Sequence, residues 1–143
     1  MEVGFKQVHK QVLQTVEQQA KSRTVRAANV IKKAANKVLS NAGGRSGKVY
    51  HKPFTKSSTY TSSAPGQPPA LRSGNLRRSW RPLPYSEMVA SSTHYTPGIY
   101  SDVVYAPYLE NGTSKMAPRP FKAPIQQEAW PDVQQIYAQP YLK

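Results

Sequence analysis

From residue 3 to residue 39 the chain runs without a proline, and its only glycine there is Gly4. Val8, Val12, Val16, Ala20, Ala27, Ile31, Ala34 and Val38 step by 4, 4, 4, 7, 4, 3 and 4, which puts them on one stripe of an α-helix. At ~1.5 Å per residue such a helix reaches ~50 Å, more than the core of a small domain can cover. The second half of the stripe is mostly alanine, and small residues let a neighbouring element approach closely. Part of the helix is therefore expected to pack on another subunit. Gly43 and Gly44 are placed to end it, as glycines beyond a helix C-terminus do.

The next segment cannot continue that order. Residues 42–75 are dominated by Gly, Ser, Thr, Pro and Lys, and Val49, Tyr50, Phe54 and Tyr60 keep no period. This predicts a long loop or extended arm, a kind of segment that is usually functional or ordered only on binding. Residues 76–81, 87–91 and 98–105 are short, rich in aromatic and β-branched residues, and punctuated by Pro82, Pro84 and Pro97. In the last of these, Ile99, Ser101, Val103 and Tyr105 alternate with Tyr100, Asp102 and Val104, the period of a strand. An antiparallel meander of three to four strands is predicted. Asn111-Gly112 centres a turn over residues 110–116. Ile125, Ala129, Val133 and Ile136 then mark a short final helix, with Pro131 set to break or kink it. The expected fold is one α+β domain over 1–143: a long helix (1–41), an arm (42–75), then sheet and C-terminal helix (76–143), with the two helices covering one sheet face.

Charge divides the chain. Up to residue 84, sixteen basic residues face only Glu2 and Glu17, a balance of +14; beyond it the balance is −1. The first half is thus expected to face something anionic, either nucleic acid or an acidic protein surface. Arg72, Arg77, Arg78 and Arg81 gather around Trp80, and Lys48, Lys52 and Lys56 dot the arm. These seven are the candidates for contact with DNA or an acidic partner.

Catalytic chemistry finds no foothold. With no cysteine there are no disulfides, thiolate metal sites or thiol nucleophiles. The run Gly43-Gly44-Arg45-Ser46-Gly47-Lys48 imitates a phosphate loop, yet Ala42 stands where that loop needs glycine and Val49 where it needs Ser or Thr. His9, His51 and His94 lie far apart without acidic neighbours at ligand spacing, and Glu128 and Asp132 have no nucleophilic companion. No enzyme activity, cofactor or metal is expected. No run of about 18 apolar residues is present, and Lys6, His9 and Lys10 interrupt any signal-peptide core, so a soluble protein of a reducing compartment is expected.

Two stretches carry a resemblance. One runs Ser63-Ala64-Pro65-Gly66-Gln67-Pro68-Pro69-Ala70 and on through Ser73-Gly74-Asn75-Leu76-Arg77-Arg78-Ser79-Trp80. The other runs Tyr105-Ala106-Pro107-Tyr108-Leu109-Glu110-Asn111-Gly112-Thr113-Ser114-Lys115-Met116-Ala117-Pro118-Arg119-Pro120-Phe121. Together they resemble the head–tail joining (neck or tail-completion) proteins of long-tailed bacteriophages. Asn111, where that family commonly has an apolar or aromatic residue, and the very basic arm depart from the pattern.

The resemblance implies a structural virion protein, made in the bacterial host cytoplasm and placed in the neck. It would form a ring, commonly a hexamer, that meets a head-closure or connector ring on one side and tail terminator or tail tube proteins on the other. Double-stranded DNA would pass through the bore. Pro65, Pro68, Pro69, Tyr108, Glu110, Asn111, Gly112, Thr113, Lys115 and Met116 are the candidate ring-interface residues, Glu110 foremost. The arm from Arg45 to Arg72 is expected to reach a neighbouring subunit or ring, and Tyr105, Tyr108 and Phe121 to be largely core. The competing reading from the residues alone is a basic nucleic-acid-binding protein acting through the N-terminal half.

Overall fold

A computed structural model describes residues 5–40 and 44–142. The expected long helix is present as α1, Phe5–Val38. The expected start at residues 1–4, the end at residue 41 and the stop at Gly43 lie outside the described residues. A second long helix, α5 (Lys122–Ala138), lies against the later part of α1, and this helix pair is the centre of the molecule. Alanine makes the approach possible: Ala27, Ala28, Ala34 and Ala35 of α1 are buried, as are Ile125 and Ala129 of α5. Leu39, Leu76, Trp80, Ala106 and Phe121 close the core, where the Trp80 and Phe121 rings meet edge to face at 5.8 Å. The alanine half of α1 is therefore satisfied within its own chain.

Between the helices lie short elements. β1 (Val49–His51) and β2 (Thr59–Thr61) form a hairpin; α2 (Asn75–Ser79) leads into β3 (Arg81–Pro82). α3 (Tyr85–Met88), β4 (Val89–Ser91), β5 (His94–Tyr95), β6 (Ile99–Tyr100) and α4 (Ala106–Asn111) follow. The fold is α+β, but among the described residues the strands make three separate antiparallel pairs, β1–β2, β3–β6 and β4–β5, instead of one meander of three to four strands. The long helices accordingly pack on each other and not across a sheet face.

Several local expectations change for physical reasons. Residues 76–81 are helical up to Ser79 because Leu76 and Trp80, four apart, both turn into the core. A short apolar run does not by itself distinguish a buried strand from one helical turn. Residues 87 and 88 belong to α3, so only Val89–Ser91 of that stretch is strand. Of residues 98–105 only Ile99–Tyr100 pair, with β3. Glu110 and Asn111 end α4, and the tight turn begins at Gly112. Pro131 sits inside α5 without breaking it. Pro131 and Gln127, the residue whose carbonyl loses its donor, are both exposed, so the missing bond falls on the solvent-facing side of the helix.

Candidate assembly surfaces

The residues that carry the family resemblance converge on one another. The Gly66 N–H donates to the Pro118 carbonyl at 3.0 Å, tying the first stretch to the second. Gln67 Oε1 accepts from the Ala64 and Ser46 amides at 2.8 and 3.1 Å. Pro69 is buried, Pro68 half-buried and Pro65 exposed. The Pro69 carbonyl accepts from Arg45, whose Nη2 also donates to the Val38 carbonyl at 2.8 Å and so caps the C-terminal end of α1. Burial pulls the Arg45 pKa below its ordinary value, though a guanidinium keeps its charge. The proline segment is thus docked on its own chain, in contrast to the free arm expected over 42–75.

Glu110 has an equally internal task. Its Oε2 accepts from the backbone N–H of Phe121 at 2.8 Å and of Lys122 at 3.2 Å. These are amides at the start of α5, which have no partner inside the helix, and a carboxylate also complements the positive end of the helix dipole. Instead of standing out towards a subunit, Glu110 faces its own α5. The Arg119 N–H to the Leu109 carbonyl, at 2.7 Å, holds the two segments in register. Gly112 has φ +75°, and a Cβ there would stand 2.8 Å from Met116 O and Pro118 N. Thr113 and Met116 bridge across that turn, leaving Asn111, Thr113 and Lys115 exposed and Met116 half-buried. Phe121 is core, but Tyr105 and Tyr108 are exposed. Both stand in solvent at α4, as does Val104 just before it, a correction to the expected place of the two tyrosines inside.

The part of the arm that does stand free is the β1–β2 hairpin. Its base is closed by the Gly47 N–H to Ser62 O and the Ser62 N–H to Lys48 O, both 2.8 Å. Tyr50 and Tyr60 pair across the strands with ring centroids 6.0 Å apart. At the tip Thr55 Oγ1 bonds Lys52 O at 3.0 Å and Ser58 O at 3.2 Å. Beside it Phe54 is wholly exposed with φ +62°, a left-handed conformation uncommon for a side chain of that size. Lys48, Lys52 and Lys56 are exposed around it. Of the arginine candidates, Arg77 donates to Ser40 Oγ and Arg78 to Asn75 Oδ1, each at 3.2 Å, on the surface of α2. Arg72 and Arg81 are exposed. None of the seven forms an ion pair among the described residues, where the only two are Lys21–Glu17 and Lys37–Glu128.

A second projection is the first half of α1. No residue before Ala20 is buried among the described residues, and Phe5, Val8, Val12 and Leu13 are exposed. Fifteen residues of helix, ~22 Å at 1.5 Å each, therefore extend without a core beneath them. Between α1, α5 and β6 opens a groove of about 800 Å³ lined by Ile31, Trp80, Ile99, Ile125, Trp130 and Val133. Trp130 is 60% exposed on its wall, and the Trp80 indole N–H is buried without a hydrogen-bond partner among the described residues.

One residue that sequence reasoning passed over is Arg23, only 2% exposed. Its guanidinium donates to the carbonyls of Tyr137, Gln139 and Pro140, where α5 ends, and lies 3.9 Å from the Tyr141 ring centroid. The signal was present: Ala20, Arg23, Thr24 and Ala27 fall at i, i+3, i+4 and i+7, which places a cation on the buried stripe.

Among the described residues no three His, Asp or Glu side chains are placed to hold a metal ion, and no helix is long and apolar enough to cross a membrane. No family model, curated protein or solved structure matches the chain.

Proposed function

We propose that this chain is a structural subunit of a tailed-phage virion, one of several copies forming a ring in the neck between the DNA-filled head and the tail. One observation supports this reading most. The core closes without the first half of α1 and without the β1–β2 hairpin, yet both projections end in exposed apolar side chains, Phe5, Val8 and Leu13 on one and Phe54 on the other. Single exposed apolar side chains are ordinary, but Phe5, Val8 and Val12 line one strip of a helix segment that buries nothing, which suits a subunit that meets neighbours on assembly. The two segments that resemble the joining family also lock onto each other through Gly66–Pro118, and Glu110 ties the second of them to Phe121, so the motif behaves as one structural unit.

Replacing residues 49–61 with a short glycine turn tests the reading. The expected result is a folded protein, with unchanged far-UV circular dichroism, that leaves filled heads and tails unjoined when it is the only copy supplied during infection. Joined particles at the wild-type yield overturn it.

A nucleic-acid-binding protein is the second reading, favoured by Lys48, Lys52 and Lys56 standing exposed beside Tyr50 with no acid between Glu17 and Glu87 in the sequence. It requires the isolated protein to bind duplex DNA tightly, with affinity falling steeply as salt rises.

A further inference from the structure

Among the described residues β6 has a strand on one side only. Its partner is β3, with Arg81 opposite Tyr100 and Pro82 opposite Ile99, and in the same register the Leu83 N–H donates to the Gly98 carbonyl at 3.0 Å. In an antiparallel ladder, pairs that exchange hydrogen bonds alternate with pairs that do not. Leu83 and Gly98 are a bonded pair, so Pro82 and Ile99 are a non-bonded one, which suits a proline without an N–H. The backbone N–H and C=O of Ile99 therefore point away from β3, towards an edge that no described strand occupies. Pro97, Gly98 and Ile99 also line the groove beside α5. The open edge and the apolar wall share those residues.

We propose that this surface binds an extended, acidic peptide segment of a partner protein, which adds a strand to β6 and lays alternate apolar side chains in the groove. The inference goes beyond the ring reading and does not depend on it. Hydrogen bonding selects an extended occupant, because Ile99 offers one donor and one acceptor at strand spacing. Extended backbone matches them, whereas a helix has already bonded its own groups. Strand side chains alternate, so every second one enters the groove, whose Ile31, Trp130 and Val133 and volume of about 800 Å³ accept apolar groups. Charge selects the flanks. Lys122 is the only charged residue of the lining, is exposed, and makes no ion pair among the described residues. It stands on a chain of formal net charge +13, so acids beside the bound segment are attracted and bases repelled. The same charge turns away the β1–β2 hairpin of another copy, where Lys48, Lys52 and Lys56 meet no acid.

The probe is a fluorescein-labelled peptide of alternating valine and threonine, with a central phenylalanine and aspartates at both ends, titrated with the full chain and followed by anisotropy. Saturable binding is expected, at least about tenfold tighter than for the same peptide carrying lysines in place of the aspartates. Methylating its backbone nitrogens keeps side chains and charge but removes every strand donor, and should abolish binding. Lys122→Glu should reverse the preference between the two peptides, and Trp130→Ser should weaken the aspartate peptide severalfold. Both side chains are exposed, so both variants are expected to keep the wild-type far-UV circular dichroism. Absence of saturable binding overturns the proposal. Equal binding of the methylated peptide also overturns it, because the groove then acts without the edge. Binding that neither variant changes does the same, since it reports general attraction to a basic surface. Self-association of the wild type that both variants abolish would make a second copy the occupant, and the proposal falls. The ring reading is tested by removing the hairpin, which lies outside the groove lining, so the two can fail separately.

Discussion

Glu110 and Gly112 show how little of a motif need be interface. The Glu110 carboxylate receives the Phe121 and Lys122 amides, so Glu110→Ala should leave the α5 N-terminus uncapped. A lost helix cap costs about 0.5–2 kcal/mol, and thermal denaturation of the purified variant should show a melting point lowered by several degrees; an unchanged Tm would mean the cap does not hold in solution. Gly112 and Gly66 make a sharper pair, because both have positive φ, +75° and +81°. At Gly66 an added Cβ meets nothing within 4 Å, so Gly66→Ala carries only the left-handed penalty, of order 1–2 kcal/mol. At Gly112 the same Cβ lies 2.8 Å from backbone atoms of Met116 and Pro118, and backbone cannot rotate away as a side chain can. Gly112→Ala should therefore destabilise clearly more than Gly66→Ala in parallel urea titrations. Equal losses would refute the close approach at that turn.

The elements divide into those the core needs and those it does not, and the same division decides what was legible in the sequence. α1 could be read because 34 residues without proline at a helical period leave no alternative. α5 could be read from Ile125, Ala129 and Val133, although Pro131 suggested a break that solvent-facing geometry made unnecessary. The strands were harder: residues 76–81 and 98–105 are so short that their side-chain pattern fits either state, and tertiary burial of Leu76 and Trp80 decides it. Glu110 stands out in the sequence only through the resemblance, which implies an interface role; its partners, the Phe121 and Lys122 amides, lie eleven and twelve residues on, and no local pattern names them. Arg23 went unnoticed because a cation on an alanine stripe reads as a solvated face until the carbonyls at the end of α5 are placed around it. Since no described residue before Ala20 is buried, removing the first turns of α1 should leave the core intact. A chain starting at residue 14 is expected to melt within about 2–4 °C of the full chain, the shift that ~1 kcal/mol produces. A larger fall would show that the overhang folds onto something within the monomer.

On the scale of the whole molecule, charge is what separates the two readings of function. Each copy carries a formal net charge of +13, and like copies approaching one another must overcome that repulsion before Phe54 or any other contact can form. The range of the repulsion is the Debye length, about 30 Å at 0.01 M salt but about 8 Å at 0.15 M. At the lower salt two copies repel across most of a subunit, whereas at the higher they feel each other only near contact. An apolar anchor is insensitive to such screening, so self-association should rise as salt increases from about 0.01 to 0.15 M. Binding to DNA responds with the opposite sign: each phosphate neutralised releases condensed counterions, and affinity falls linearly on a logarithmic scale as salt rises. One titration, with mass measured by light scattering and duplex binding by fluorescence anisotropy on the same samples, therefore asks both questions. Growth of the assembled species with salt, beside a vanishing DNA signal, is the expected result for a subunit whose basic half faces protein. A protein that stays monomeric throughout and holds duplex DNA tightly at about 0.15 M salt would shift the assignment to nucleic-acid binding.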